Sequence, residues 1–241
     1  MNVSIVLPTY NEKENLMILV PKIEDAFKKI EHEIIIVDDS SPDGTADYIM
    51  SLKNKNVKLV LRKKKEGIGA ALREGYFAAK HMIIISSDSD LSYEVEDMLR
   101  LIKKIKDGYD LVVGTRHKKK NYYEAKSLLT IVKYTISKVG NIITRALAGV
   151  NVTDFSANFR AIKKNVFIKL TLKEKTNTIL LEMILKAKYN GFKVGEIPVT
   201  FKERVYGESK LNLFKESPKF FFKLLKFVFL YRILKLNLKK Y

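Results

Sequence analysis

Mainly apolar segments alternate with stretches of helical periodicity along the first half of the chain. The apolar segments occupy residues 3–7, 33–37, 57–61, 82–86 and 109–113. Such segments are typical of strands in parallel sheets, because helices cover both faces of the sheet. The residues between them place apolar side chains three or four positions apart, the spacing of an amphipathic helix. The sequence therefore predicts an α/β fold with a mainly parallel sheet flanked by helices.

Polar residues follow four of these five strands. Loop 8–12 follows the first strand, Asp38 and Asp39 follow the second, 88–90 follows the fourth and 114–116 follows the fifth. Three of these four ends are acidic and one is basic. Since ligands of parallel α/β sheets bind beyond the carboxyl ends of the strands, these loops are the predicted binding site.

Asp88 and Asp90 are the strongest candidates for a metal site. Residues two apart in an extended chain point to the same side, so both carboxylates can face one pocket. Adjacent carboxylates repel unless a cation lies between them, and Mg²⁺ takes one or two carboxylates together with phosphates and water. The motif by itself is more typical of a solvated turn. Its place at a strand end, beside other acidic loops, favours the metal site.

Several common motifs are absent from the chain. No Gly-x-Gly-x-x-Gly follows the first strand and there is no P-loop, so Gly67 and Gly69 are interpreted as a tight entry into a helix. The lack of cysteine excludes disulfides and thiolate metal sites. No run of about 18 apolar residues is present, and the first residues do not resemble a signal peptide. We therefore expect neither an ordinary spanning helix nor a secretory leader.

Charge is distributed unevenly. The net charge is +18, yet residues 1–50 carry ten acidic and four basic side chains, whereas residues 218–241 carry seven basic and no acidic ones. Such an end indicates a polyanionic partner: an anionic lipid surface, a nucleic acid or a phosphorylated substrate. A nucleic-acid-binding module would place aromatic residues among the basic ones on an exposed face. Here the aromatics lie in a Leu- and Phe-rich end, so we expect no nucleic acid.

Two segments of the second half predict amphipathic helices. In 126–147 the polar residues form one stripe, which fits either an ordinary core-facing helix or a helix near a membrane whose lysines reach lipid phosphates. In 216–241 lysines lie beside many Phe and Leu, which favours docking on a membrane surface or a membrane subunit over a plain core helix. The chain thus divides into a main domain, 1–215, and a basic C-terminal helix, 216–241. The stripe consists of Lys126, Thr130, Lys133, Ser137, Asn141 and Thr144.

A charged loop precedes the C-terminal helix. It carries Gly207 between Arg204 and Lys210. A flexible loop of this kind can fold over a phosphate and present two cations, although in isolation it is more typical of a solvated turn.

Taken together, the motifs resemble those of the family 2 glycosyltransferases, and among them the dolichyl- or polyprenyl-phosphate mannosyltransferases. Matching segments in order are 7–12, 37–45, 88–92, 114–116 and 204–211, the last being the most specific. The resemblance covers roughly residues 1–215. It implies a GT-A catalytic domain with amphipathic interface helices. It also implies an inverting transfer from a nucleotide sugar, foremost GDP-mannose, to dolichyl or polyprenyl phosphate, by a peripheral protein at the cytoplasmic face of a membrane.

The resemblance assigns a role to each matched residue. Those implied to hold the nucleoside are Pro8, Tyr10, Glu12, Val37 and Asp39. Those implied to hold Mg²⁺ or Mn²⁺ and the diphosphate are Asp88, Ser89 and Asp90, with Asp88 and Asp90 as the metal ligands. Those implied to meet the phosphates are Arg116, Arg204 and Lys210, which form the catalytic set with Asp90. Lys133 and Ser137 match the positions for the acceptor phosphate.

The chain departs from the family's pattern at two places. Lys133 stands where the family has arginine, and a lysine exchanges bidentate recognition for a point charge. Ala157 and Asn158 replace the usual Ser-Gly or Gly-Ser pair in the segment that carries Asp154 and Arg160.

Other enzyme classes share part of this pattern. A polyprenyl-phosphate glycosyltransferase that uses UDP-glucose or another nucleotide sugar would have nearly all of these loops. A sugar-phosphate nucleotidyltransferase fits less well, because it needs a Gly-rich, basic loop where this chain has Pro8, Thr9 and Tyr10.

Overall fold

The computed structural model describes residues 2–117, 128–202, 204, 206 and 213–234. The strands are β1 (Val3–Thr9), β2 (His32–Asp38), β3 (Val57–Leu61), β4 (Ile83–Ser86), β5 (Leu111–Thr115), β6 (Arg160–Lys163) and β7 (Val194–Pro198). The helices are α1 (Lys13–Phe27), α2 (Thr45–Ser51), α3 (Ile68–Ala78), α4 (Glu96–Lys106), α5 (Leu128–Ala148), α6 (Lys164–Leu170), α7 (Thr178–Tyr189) and α8 (Leu213–Phe227). A π-helical turn, Val228–Ile233, continues α8.

One mixed sheet holds the strands of the described residues in the order β3-β2-β1-β4-β6-β5-β7. Neighbouring strands are parallel except at β6, which runs antiparallel to both β4 and β5. The mainly parallel sheet expected from the apolar segments is therefore confirmed. Strand β6 occupies the end of the segment that carries Asp154 and Arg160.

Buried side chains cover both faces of the sheet. Along β1, Val6 belongs to one hydrophobic cluster, whereas Ile5 and Leu7 belong to another. Successive strand residues point to opposite faces, so the two clusters lie on the two sides of the sheet. The central strands are mainly apolar because both faces of the sheet are covered there.

The glycines at 67 and 69 bring the start of α3 against a neighbouring loop. Gly67 has φ +102°, in the region that favours glycine. A Cβ atom added at Gly69 would lie 2.7 Å from the carbonyl oxygen of Glu174. This contact confirms the interpretation of a tight helix entry.

Candidate active site

Hydrogen bonds join the carboxyl ends of β1, β2 and β4. Ser89 Oγ donates to the Pro8 carbonyl at 3.0 Å and lies 3.2 Å from Thr9 Oγ1. The Asp39 N–H donates to the Thr9 carbonyl at 3.2 Å. Because β1 lies between β2 and β4, these bonds place the loop after β1, the acidic end of β2 and the 88–90 segment side by side.

Asp88 and Asp90 lie in different environments. Asp88 Oδ1 accepts a hydrogen bond of 3.1 Å from Asn158 Nδ2, whereas its Oδ2 has no such partner within the described residues. Burial and the charge of Asp90 raise the pKa of Asp88 to about 6. Asp90 Oδ1 accepts from the Ser92 N–H at 3.1 Å and from the Ser92 hydroxyl. Asp88 therefore carries its charge less readily than an exposed aspartate, and a nearby cation would relieve that cost.

Arg204 brings a positive charge to the acidic pair. Its Nη2 donates to Asp90 Oδ2 at 2.9 Å, and its Nη1 lies 3.9 Å from Glu12 Oε1. Asn15 Nδ2 donates to Glu12 Oε2 at 2.5 Å and to the Tyr206 carbonyl at 3.4 Å. Arg204 and Tyr206 thus lie against the start of α1, and the Arg204 guanidinium balances part of the negative charge at the edge of the sheet.

The acidic pair suits a divalent cation that also binds the substrate. Over the described ranges, no group of three or more histidine, aspartate and glutamate side chains converges to hold a metal. Mg²⁺ and Mn²⁺ favour oxygen ligands, and Mg²⁺ is commonly held by one or two carboxylates plus substrate phosphates. The raised pKa of Asp88 and its open Oδ2 fit such an ion.

Arg62 is a residue of this edge that the sequence motifs missed. It is buried and binds Asp39, Glu66 at 3.3 Å and Glu74 at 2.9 Å. Burial lowers its pKa, but the hydrogen bond that it donates to Glu74 and the charge of Asp39 raise the pKa above the ordinary value, so the guanidinium stays charged. Arg62 directly follows β3, and that place at another strand end would have predicted it.

Two other residues implied for the nucleoside lie in contrasting places. Lys65 Nζ lies 3.8 Å from the centroid of the Tyr10 ring, a cation–π contact at the edge of the sheet. The Val37 side chain is wholly buried in the hydrophobic core. Val37 therefore contributes its side chain to the core rather than to the binding edge.

Arg116 is paired with a buried carboxylate. Its Nε lies 2.7 Å from Asp154 Oδ2, and its Nη2 lies 3.1 Å from Asp154 Oδ1 and 2.9 Å from Ser156 Oγ. Burial raises the pKa of Asp154, but the charge and hydrogen bonds of Arg116 outweigh burial and lower the pKa to about 2. In the part of the chain that the structure describes, Arg116 Nη1 has no hydrogen-bond partner, so this nitrogen can donate to a ligand.

Arg160 has a structural role instead. Its side chain is fully buried and donates to the Ala157 carbonyl at 3.1 Å and to the Leu180 carbonyl at 2.9 Å. Burial lowers the pKa of this guanidinium. Arg160 therefore holds the turn before β6 against α7 and is closed off from a substrate at the edge.

The polar residues at the C-terminal end of helix α5 face the protein. Asn141 and Thr144 are buried, and Asn141 Oδ1 accepts a hydrogen bond of 2.7 Å from the Phe155 N–H. The interpretation of α5 as an ordinary core-facing helix is therefore wrong, because six large apolar side chains among its described residues are exposed. These are Ile131, Val132, Ile136, Val139, Ile142 and Ile143.

Helix α8 contributes to both the core and the surface. Leu224 and Phe227 are buried in the core cluster, whereas Phe222 is 70% exposed and Leu225 is also exposed. Helix α8 contacts α5, and each of the two helices leaves large apolar side chains exposed. None of the described helices has both the length and the apolarity needed to cross a bilayer.

Some predicted positions fall outside the described residues. Lys210 and Gly207 are among them, as are residues 235–241 and the side chain of Lys133. Ser137 lies on α5, with its Oγ 3.4 Å from Asn141 Nδ2.

Comparisons with known protein sequences gave one matching family model and several relatives. The model described as Glycosyl transferase family 2 matches residues 4–171. A dolichol-phosphate mannosyltransferase from Pyrococcus furiosus is 36% identical over 216 residues, 88% of this chain, and the chain spans 60% of that relative's length. A polyprenol monophosphomannose synthase from Mycolicibacterium smegmatis is 32% identical over 217 residues, which cover 86% of this chain and 80% of the relative.

Solved structures of similar fold include glucosyl-3-phosphoglycerate synthase from Mycobacterium tuberculosis, in complex with Mn²⁺, uridine diphosphate and phosphoglyceric acid. The TM-score is 0.73 at 16% identity, and the match covers 94% of this chain and 78% of that chain. This likeness confirms the predicted GT-A fold.

Proposed function

The chain belongs to glycosyl transferase family 2, and from that premise we propose that it transfers mannose from GDP-mannose to dolichyl or another polyprenyl phosphate. The relatives named as dolichol-phosphate mannosyltransferase and polyprenol monophosphomannose synthase support this substrate pair. The observation that carries the proposal is the meeting of Asp88, Asp90 and Arg204 at one edge of the sheet. That edge combines acidic ligands for a cation with a guanidinium for a phosphate.

The proposed reaction is a single displacement with inversion. An oxygen of the lipid phosphate bonds to the anomeric carbon while the bond from that carbon to the diphosphate breaks, and the electron pair leaves with GDP. A hydroxyl acceptor would need a general base. A phosphate monoester already carries a charged oxygen near neutral pH, so the acceptor needs none.

The protein's part is to position two anions and to balance the charge that forms on the diphosphate. Asp88 and Asp90 would hold Mg²⁺ or Mn²⁺, which neutralises the leaving diphosphate when bound. Arg204 and Arg116 Nη1 are donors for phosphate oxygens, with Lys210 as a further cation in the same proposal. Fixed charges of this kind stabilise the transition state without reorganisation during the reaction.

The exposed apolar side chains of α5 and α8 support a peripheral position on a membrane. Ile142 on α5 and Phe222 on α8 are exposed, and buried polar residues such as Asn141 lie on the opposite side of α5. An interfacial helix places its apolar side in the lipid boundary and binds more strongly when basic residues meet anionic headgroups. We propose the cytoplasmic face of a membrane as the site, with an anionic lipid surface or a small membrane subunit as the partner.

A turnover assay tests the donor and the acceptor together. The purified chain is incubated with dolichyl phosphate, Mn²⁺ and either GDP-mannose or UDP-glucose, and the lipid product is separated and quantified. Mannosyl lipid from GDP-mannose is expected. Glucosyl lipid as the main product would assign the other donor, and the absence of any glycolipid would contradict the proposed function.

A further inference from the structure

Asn158 is a buried amide in contact with the carboxylate proposed to hold the cation. The residue is 2% exposed, and its Nδ2 donates to Asp88 Oδ1 at 3.1 Å. It lies two residues before β6, where its carbonyl accepts a hydrogen bond of 3.1 Å from Ser86 Oγ of β4. The main chain at 158 is therefore fixed to the strand that leads into Asp88.

The other polar atom of the Asn158 amide is its oxygen, Oδ1. Among the described residues, Asn158 Oδ1 has no hydrogen-bond partner although it is buried. A buried polar atom without a partner costs about 1–3 kcal/mol, and a small apolar residue at this position would avoid that cost. Asparagine at position 158 is therefore unfavourable for stability. Its side-chain amide does, however, donate a hydrogen bond to Asp88.

The two carboxylates of the site are held in a similar way. One oxygen of Asp90, Oδ1, accepts hydrogen bonds from Ser92, and one oxygen of Asp88, Oδ1, accepts from Asn158. Polar groups that bind metal-ligating side chains fix the orientation of those side chains, and their loss typically weakens metal binding about 10–100-fold.

We propose that Asn158 is a positioning residue of the cation site, and this inference rests on the proposed function. By holding Oδ1, its amide fixes the orientation of the Asp88 carboxylate and leaves Oδ2 for Mg²⁺ or Mn²⁺. Asn158 touches neither the sugar nor the diphosphate in this role. Its contribution is to the affinity for the metal, and through the metal to the affinity for the nucleotide.

The test compares nucleotide binding with and without the metal. The dissociation constants of GDP and UDP are measured by calorimetry in Mn²⁺ and in EDTA, for the wild type and for Asn158→Ala. We expect the strengthening by Mn²⁺ to fall about 10-fold in the variant, while binding in EDTA stays unchanged. Asn141→Ala is the matched control, because Asn141 is also a buried asparagine but bonds to the main chain of Ser137 and Phe155.

Several outcomes would overturn the role proposed for Asn158. An undiminished effect of Mn²⁺ in Asn158→Ala overturns the inference, and so does a lower melting temperature with an undiminished effect of Mn²⁺, since that would mark a structural residue. An equal loss in Asn141→Ala overturns it as well. If Mn²⁺ strengthens neither nucleotide in the wild type, the cation site of the proposed function fails, and the inference fails with it.

Discussion

Arg116 and Asp154 form a two-point ion pair in which the carboxylate has no contact with solvent. Arg116 Nε lies 2.7 Å from Asp154 Oδ2, and Nη2 lies 3.1 Å from Oδ1. The pair joins the end of β5 to the turn before β6, so the orientation of the predicted phosphate-binding arginine depends on a residue 38 positions later in the chain.

Asp154→Asn is expected to lower the free energy of unfolding by about 3–5 kcal/mol, because it removes one partner of a buried ion pair. The pKa of Asp154, about 2, lies below its ordinary value of 3.8, so the stabilisation is present above 3.8 and is lost as pH falls towards 2. Urea unfolding of both proteins at several pH values should therefore show curves that converge in acid. Asp25→Asn, at an exposed carboxylate paired with Lys28, is the control and should change stability little. A stability difference that does not depend on pH would contradict the assignment.

Asp88→Asn is expected to raise the free energy of unfolding in metal-free buffer, whereas Asp154→Asn lowers it. The pKa of Asp88, about 6, lies above its ordinary value of 3.8, so the folded protein loses stability as pH rises between those values. The neutral side chain removes that loss and should stabilise the protein by about 1–2 kcal/mol near pH 8, allowing for partial exposure of the group to solvent. Thermal unfolding in EDTA measures the gain, which should shrink towards pH 4. A gain in stability of equal size at pH 4 and pH 8 would rule out titration of Asp88 as the source of the gain.

Asp90→Ala is expected to reduce turnover of GDP-mannose by about 10²–10³-fold, the usual effect of losing one preorganised electrostatic contact in a transition state. Asp90 is also the partner of Arg204 and Ser92, so the loss includes misplacement of the guanidinium. Steady-state kinetics measure the loss of turnover, and far-UV circular dichroism shows whether the variant is folded. Asp107→Ala, at an exposed aspartate after α4, should keep normal kinetics. A folded Asp90→Ala variant with normal turnover would refute the metal site.

Phe222→Asp is expected to weaken binding to anionic liposomes several-fold. Phe222 is a large exposed side chain of α8, and a carboxylate there both removes apolar area and repels the lipid headgroups. Co-sedimentation with liposomes that contain anionic lipid measures the bound fraction. Met50→Asp is the matched control, because Met50 is 59% exposed on α2. An equal loss of liposome binding in both variants would contradict a membrane-binding role for Phe222. A clear preference of the wild type for duplex DNA over liposomes would contradict the proposed membrane partner.

Gly69→Ala is expected to destabilise the protein by about 1–3 kcal/mol through overpacking. The added Cβ would lie 2.7 Å from the main chain of Glu174, Lys175 and Thr176, which has no room to move without disturbing the loop. Gly140→Ala is the control, because a Cβ there meets nothing within 4 Å and alanine is the better helix former. Chemical unfolding should thus show opposite shifts for the two variants, and equal shifts would show that the contact at Gly69 is relaxed.

Much of the fold was predictable because its signals are local. Mainly apolar segments such as 3–7 and 33–37 are strands in the structure, and their apolar residues on both sides of the strand correctly indicated a sheet covered on both faces. The place of β6 was not predictable in the same way. It is a strand of four residues that pairs antiparallel with β4 and β5, and both pairings join segments that are distant in the sequence.

The candidate site also has features that the sequence predicts and features that only the structure shows. The sequence by itself determined which carboxylates stand at strand ends, because the ends of parallel strands meet at one edge whatever the details of packing. It also determined that α5 and α8 are amphipathic. Only the tertiary structure decided that Asn141 faces inward while Ile142 faces out, since amphipathicity does not state which side meets the protein. Only the tertiary structure paired Asp88 with Asn158, Asp154 with Arg116, and Asp90 with Arg204. Charge and hydrogen bonding act over a few ångströms in space, and the sequence order does not record those distances.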